Sequence, residues 1–190
     1  MPTVASEQPI VRDDNQLVVS DDKDWTWVLD RECPECGFDA GSTPRDRLPA
    51  LIRESVGTWR EVLDRPDAAR RPVPATWSPL EYACHARDAA HVFDERLVLM
   101  LERDAPAFGN WDQDETAVVE DYARQDPMTV AEELAAECET IAARVADVAD
   151  DQWARGGRRS NGSQFTVESL VRYFSHDVVH HVWDVTGRRA

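Results

Sequence analysis

The sequence predicts an all-α fold, a four-helix bundle with an additional short helix and an N-terminal extension. Three observations predict it. Four long segments carry apolar residues at the three- and four-residue spacing of amphipathic helices. Their starts carry capping signals, and no segment keeps the alternation of a half-buried strand. Helices that each bury one stripe must bury it against one another, which is the bundle solution. The 190 residues suffice for one core. We therefore divide the chain into an extension with a cysteine loop, residues 1–44, and the bundle, residues 45–190.

Residues 1 to about 24 are charged and aperiodic, the pattern of a loosely docked arm. Trp25, Trp27, Val28 and Leu29 then predict a short docking segment, and Cys33 to Pro44 reads as a loop. The first long helix is expected from Arg45 to Leu63, with Leu48, Ile52, Trp59 and Leu63 near one face. Pro66, Pro72 and Pro74 break the segment between the first and second helices. The second has Ser78 as N-cap, Pro79 at the first position and Glu81 three after the cap, and continues through Phe93, Leu97 and Met100. After a loop with Pro106, Gly109 and Trp111, a short helix is expected over 115–124. Thr129 and Glu132 suggest a capping box for the third long helix, which carries Val130, Leu134, Cys138, Ile141 and Val145 on one side. Gly156, Gly157, Asn161 and Gly162 mark the last loop, and Thr166 caps a fourth long helix to about Val185.

Composition excludes several function classes. A formal charge of -16 opposes binding to nucleic-acid phosphates. No run approaches the roughly 18 apolar residues of a membrane span. The start of the chain lacks the features of a signal peptide. The expectation is a cytoplasmic protein with its four cysteines reduced.

Chemistry concentrates in HDVVHHVWDV, His176 to Val185, which holds three of the five histidines. Residues four apart share a helix face, so a pair at that spacing can hold one metal ion. Two registers are available, His176 with His180 and Asp177 with His181. Val167, Leu170, Val171, Phe174, Val178, Val182 and Val185 define the apolar stripe at ~100° per residue. His181 lies within about 60° of it and Asp177 within about 100°, whereas His176 and His180 point roughly 160° away, toward the expected solvent side. This geometry favours Asp177 and His181. Asp184, on the same flank, is placed to orient the His181 imidazole. A third ligand is needed, and His85 in the second helix supplies it, with Asp88 as a supporting group. His91, six residues beyond His85, reads as a surface residue.

WSPLEYACHARDA, Trp77 to Ala89, resembles the second helix of the DinB/YfiT-like superfamily, and HDVVHHVWDV resembles its last helix. The ending HVWDV is similar to the mycothiol-dependent maleylpyruvate isomerase and thiol S-transferase branch. The resemblance implies a four-helix bundle holding a divalent metal by one side chain from the second helix and two from the last. His85 takes the first role. The mycothiol branch's acid-and-histidine pair falls on Asp177 and His181, while the two-histidine pattern of other members falls on His176 and His180. The ion implied is zinc first, with nickel, iron or manganese as alternatives, and mycothiol is the implied cosubstrate. The partners are then a small-molecule thiol and an electrophile, with no nucleic acid or membrane and a homodimer left open. Metal-assisted hydrolysis and non-catalytic binding are the alternative functions.

Cys33 and Cys36, in CPECG, are compatible with an accessory metal, a redox couple or a plain turn. A structural zinc site needs four ligands, and no second pair stands at suitable spacing. Cys84 is expected in the core, as are Trp59 and Trp153. Trp77 and Trp111 sit at loop edges suited to core packing or a pocket wall; Arg158 and Arg159 are expected in a solvated loop, with attraction of an anionic substrate as the alternative.

Overall fold

Helix α2, Pro79–Glu102, begins on a reciprocal cap. The Ser78 hydroxyl accepts from the Glu81 N–H at 3.2 Å, and the Glu81 carboxylate accepts from the Ser78 N–H at 2.8 Å. Two otherwise unpaired donors of the first turn are thereby satisfied. The computed structural model describes residues 24–190. The charged stretch preceding Asp24, expected as a loosely docked arm, lies outside them.

Helix α1 spans Leu48–Leu63 after a 3-10 turn at Arg45–Arg47. Helix α3, Gln113–Val119, is shorter than expected, because Asp121 takes a left-handed φ of 48° and a 3-10 turn at Tyr122–Arg124 follows. Helix α4 runs over Pro127–Ala146 and is capped by Asp126 rather than Thr129. The Asp126 carboxylate accepts from the Thr129 N–H at 2.9 Å. Proline at the first position costs no hydrogen bond, so Asp126-Pro127 is the stronger start. Helix α5, Val167–Thr186, starts at Thr166 and ends where Gly187 turns left-handed at φ 70°.

Helices α1 and α2 each pack against both α4 and α5 and little against each other. The order around the bundle is therefore α1–α4–α2–α5. The core holds Trp59, Leu97, Leu134, Ile141 and Phe174, all essentially inaccessible.

A three-stranded sheet stands where only loops were expected. Strand β1, Ala107–Phe108, pairs in parallel with β2, Gly156–Arg159, which pairs antiparallel with β3, Gln164–Thr166. Strands this short, one of them opening on two glycines, carry no readable alternation. Gly157 is required there: a Cβ would stand 2.8 Å from the Met100 side chain and 2.9 Å from the Phe108 ring. Strand β3 leads straight into α5, so the sheet helps set where that helix begins.

The described residues that precede the bundle, from Asp24 on, pack against α5 and α1. A 3-10 turn at Trp25–Leu29 lies on α5. Cys33, Cys36, Phe38 and Ala40 form a small second core against Trp27, Leu51, Val179 and Trp183. Arg172 of α5 donates to the carbonyls of Ala40 and Thr43, the latter at 2.8 Å. No helix among the described residues is long and apolar enough to cross a membrane.

Candidate metal centre

Helix α2 carries His85 into the interior, and α5 presents Asp177 and His181 one turn apart. Each offers a ligand atom, and the three atoms lie within 4.8 Å of one another. His85 Nε2 is 3.8 Å from one oxygen of Asp177, and His181 Nε2 is 3.5 Å from the other. The two imidazoles meet edge to face, with centroids 4.7 Å apart. Asp177 Oδ2 and His85 Nδ1 are buried without hydrogen-bond partners. Buried polar atoms are seldom left so, and a donor set of two imidazoles and a carboxylate is what a divalent ion takes.

Asp177 and the two imidazoles hold one another electrostatically. Burial works against the Asp177 carboxylate, but His181 and His85 outweigh it and hold its pKa below the ordinary carboxylate range. Burial likewise opposes the His181 imidazolium, yet Asp177 and Asp184 raise its pKa to about 10. Asp184 Oδ2 lies 2.8 Å from His181 Nδ1, which leaves Nε2 turned toward Asp177.

Aromatic rings wall the cluster. Trp111 stacks on His85 at 5.2 Å and 8°, and its indole N–H donates to Thr116 Oγ1 at 2.8 Å. Trp77 packs on His85 at 5.5 Å, and Tyr82 on His181 at 5.3 Å. Trp77 is buried while Trp111 is half-buried, so both serve core and pocket wall. The cluster opens into a cavity of about 710 Å³ that Asn110, Arg159, Asn161, Ser163 and Tyr173 also line. Sequence reasoning assigned none of these to a pocket, because Asn110, Asn161 and Ser163 come from loops beside the sheet and meet Tyr173 of α5 only in the fold. Arg159 lies in β2, with its guanidinium 5.5 Å from the Phe165 ring, not in a solvated loop.

His176 and His180 do not join His85. Expected to face solvent, they are 4% and 7% exposed. The helical angle is unchanged, but the extension covers that side of α5. Trp25 packs on both rings, at 5.7 and 5.0 Å. Asp88 does not touch the cluster through its carboxylate, which accepts from Tyr122 and, at 2.7 Å, from Arg87. His91 is exposed beside Glu137. Cys84 is buried, with its sulfur 3.4 Å from Gln125.

The sequence profile of the DinB superfamily matches residues 53–185. The chain belongs to the DinB superfamily. The DinB match spans α1 to α5 and with them all three residues of the cluster. Among solved structures, the fold is similar to YfiT of Bacillus subtilis, described as a probable metal-dependent hydrolase with an unusual four-helix bundle topology. The TM-score is 0.68 at 20% identity, covering 75% of this chain and 84% of that one. At that identity the likeness establishes the shared bundle. No curated protein matches the chain.

Proposed function

We propose that this DinB member holds a divalent cation, zinc foremost, at His85, Asp177 and His181. It uses that cation to activate a low-molecular-weight thiol, mycothiol or a relative, for transfer to or isomerisation of an electrophilic small molecule. The observation that carries the reading is the three-donor cluster, in which one Asp177 oxygen is buried without a hydrogen bond and Asp177 and His181 line the cavity. A divalent cation with three protein ligands keeps a coordination position for an incoming group and lowers the pKa of a thiol or water there.

The chain's own residues do the remaining work. Asp184 receives the His181 Nδ1–H and fixes that ring's orientation. Trp111, itself held by Thr116, lies flat on His85 and shields one side of it from water. Asn110, Asn161 and Ser163 offer amide and hydroxyl groups to a ligand rich in hydroxyls. Trp25 and Trp183 offer aromatic faces on which a sugar or cyclitol ring can rest.

The fold shared with YfiT supports a second reading, in which water takes the thiol's place and the reaction is hydrolysis. One comparison separates the two. Purified, zinc-loaded protein is assayed with mycothiol and a chromogenic electrophile, and in parallel with model esters and amides lacking thiol. Thiol-dependent turnover that disappears in His85→Ala is expected. Ester or amide turnover indifferent to thiol assigns the site to hydrolysis. Zinc dialysis should find His85→Ala short of one bound ion relative to wild type; an unchanged zinc content removes His85 from the site.

A further inference from the structure

We propose that Cys33, Cys36, His176 and His180 form a second metal site, a closed structural zinc centre that fastens the N-terminal extension to α5. The four residues are buried, and each offers a ligand atom within 4.8 Å of the others. In a tetrahedral site with bonds of 2.0–2.3 Å the ligand atoms stand about 3.3–3.8 Å apart, so contraction of about 1 Å suffices. Two thiolates and two imidazoles are a donor set that zinc favours, and four ligands leave no position open for chemistry. The spacings Cys-x2-Cys and His-x3-His are those of such centres.

The local geometry shows which atoms would face the ion. His180 Nδ1 lies 3.7 Å from Cys33 Sγ. Its other nitrogen is 3.5 Å from a Glu35 oxygen and 3.9 Å from one of Asp184. A ligating histidine commonly has such a carboxylate behind it, which sets the ring. His176 Nε2 is buried with no hydrogen-bond partner. The cysteine loop is tight: the Gly37 N–H donates to the Cys33 carbonyl at 2.9 Å, and Gly37 is left-handed at φ 80°. The Cys33 N–H donates to the Phe38 carbonyl at 2.9 Å.

A redox couple fits less well. Both sulfurs belong to fully buried residues, whereas an exchanging thiol needs access and an electropositive surround. This centre shares no ligand with the proposed catalytic one, although Asp184 stands behind a histidine of each. Neighbouring residues on α5 turn by about 100°, so His176 with His180 and Asp177 with His181 serve different sides of one helix. Through Trp25, which packs on His176 and His180 and lines the cavity, the centre would fix one wall of the pocket.

The test is a cobalt(II) titration of the full, reduced chain, read by absorbance. Two ions are expected per chain, one for each cluster, and one of them should show the intense near-ultraviolet band of thiolate bound to cobalt. The double variant Cys33→Ser, Cys36→Ser should lose that band and retain the other ion, whereas His85→Ala should retain the band. Failure of the catalytic cluster and failure of this one therefore look different. X-ray absorption on wild-type zinc protein needs no variant and should find sulfur bound to zinc. Absence of sulfur there, a thiolate band that survives replacement of both Cys33 and Cys36 by serine, or a Cys33–Cys36 disulfide in protein purified with reductant overturns the proposal.

Discussion

His181 is the residue on which the candidate metal centre turns. It lies between two carboxylates, one beside Nε2 and one beside Nδ1. With Asp177 as a ligand, only Asp184 remains to hold the ring. Replacing a partner behind a metal-bound histidine typically costs ten- to a hundredfold in affinity. Asp184→Asn should therefore weaken zinc at this site by about tenfold or more while leaving the fold intact. Competition with a chromophoric chelator measures it, and a change below twofold would show that Asp184 does not orient the ligand. Gly157 offers a residue-scale test away from the metal. Gly157→Ala drives a methyl against Met100 and Phe108, and overpacking of this kind costs about 1–3 kcal/mol. Urea unfolding reads that loss directly, and an unchanged midpoint would mean that the Met100 side chain yields freely.

At the scale of elements, the start of α2 concentrates the most interactions in the fewest residues. Glu81 closes the cap on Ser78 and accepts from Arg71, with Glu81 essentially buried and Arg71 nearly so. Burial alone would raise the Glu81 pKa, but Arg71 and Ser78 outweigh it and hold the pKa below its ordinary value of 4.5. A carboxylate whose folded pKa is depressed stabilises the fold above its unfolded pKa, and that stability is lost as pH falls through the folded value. Glu81→Gln should therefore cost about 3 kcal/mol near neutral pH, because it leaves the Arg71 charge without its carboxylate. The gap between variant and wild type should narrow below about pH 4.5, as measured by urea midpoints across pH. A gap constant from pH 7 to 3 would assign the role to packing alone. Elements of this kind are also where the sequence is most legible. Ser78, Pro79 and Glu81 lie within four positions and announce α2 by themselves, and Thr166 does the same for α5. The pairing of Asp177 with His181 is equally local, since one helical turn joins them. Strand β2 gives no such signal, because it opens on two glycines, its hairpin partner β3 is three residues long, and its other partner β1 comes from a distant segment. Cys33 meets His180 across 147 positions, which no spacing rule reaches. Helical angle alone turns His176 and His180 toward solvent, because it reports direction from the bundle and not what else covers the helix.

At the scale of the whole molecule, the charge of the cavity bears on the thiol proposed for it. The chain carries -16 overall, and the lining follows that bias. Asp24, Glu35, Asp112, Asp114, Asp177 and Asp184 line the cavity, and Arg159 is the only arginine or lysine among the described lining residues. A bound divalent ion offsets part of this field at the metal itself, but not at the rim, where the remainder of a thiol ligand must sit. Glutathione has two carboxylates and one ammonium, so it enters as an anion and meets repulsion. Mycothiol bears hydroxyls and amides with no carboxylate, so it meets the same rim as a neutral molecule. A low-dielectric cleft lined by one sign of charge magnifies that difference, and dissolved salt screens it over a Debye length of about 10 Å at 0.1 M. With a common electrophile, kcat/KM for mycothiol should therefore exceed that for glutathione at low ionic strength, and the ratio should fall as sodium chloride is added. Asp112→Asn and Asp114→Asn together should move the ratio in the same direction without added salt, since both line the cavity and lie outside the donor cluster. A ratio insensitive to both salt and these substitutions would mean that shape alone selects the thiol, leaving the acidic lining with no part in selecting it.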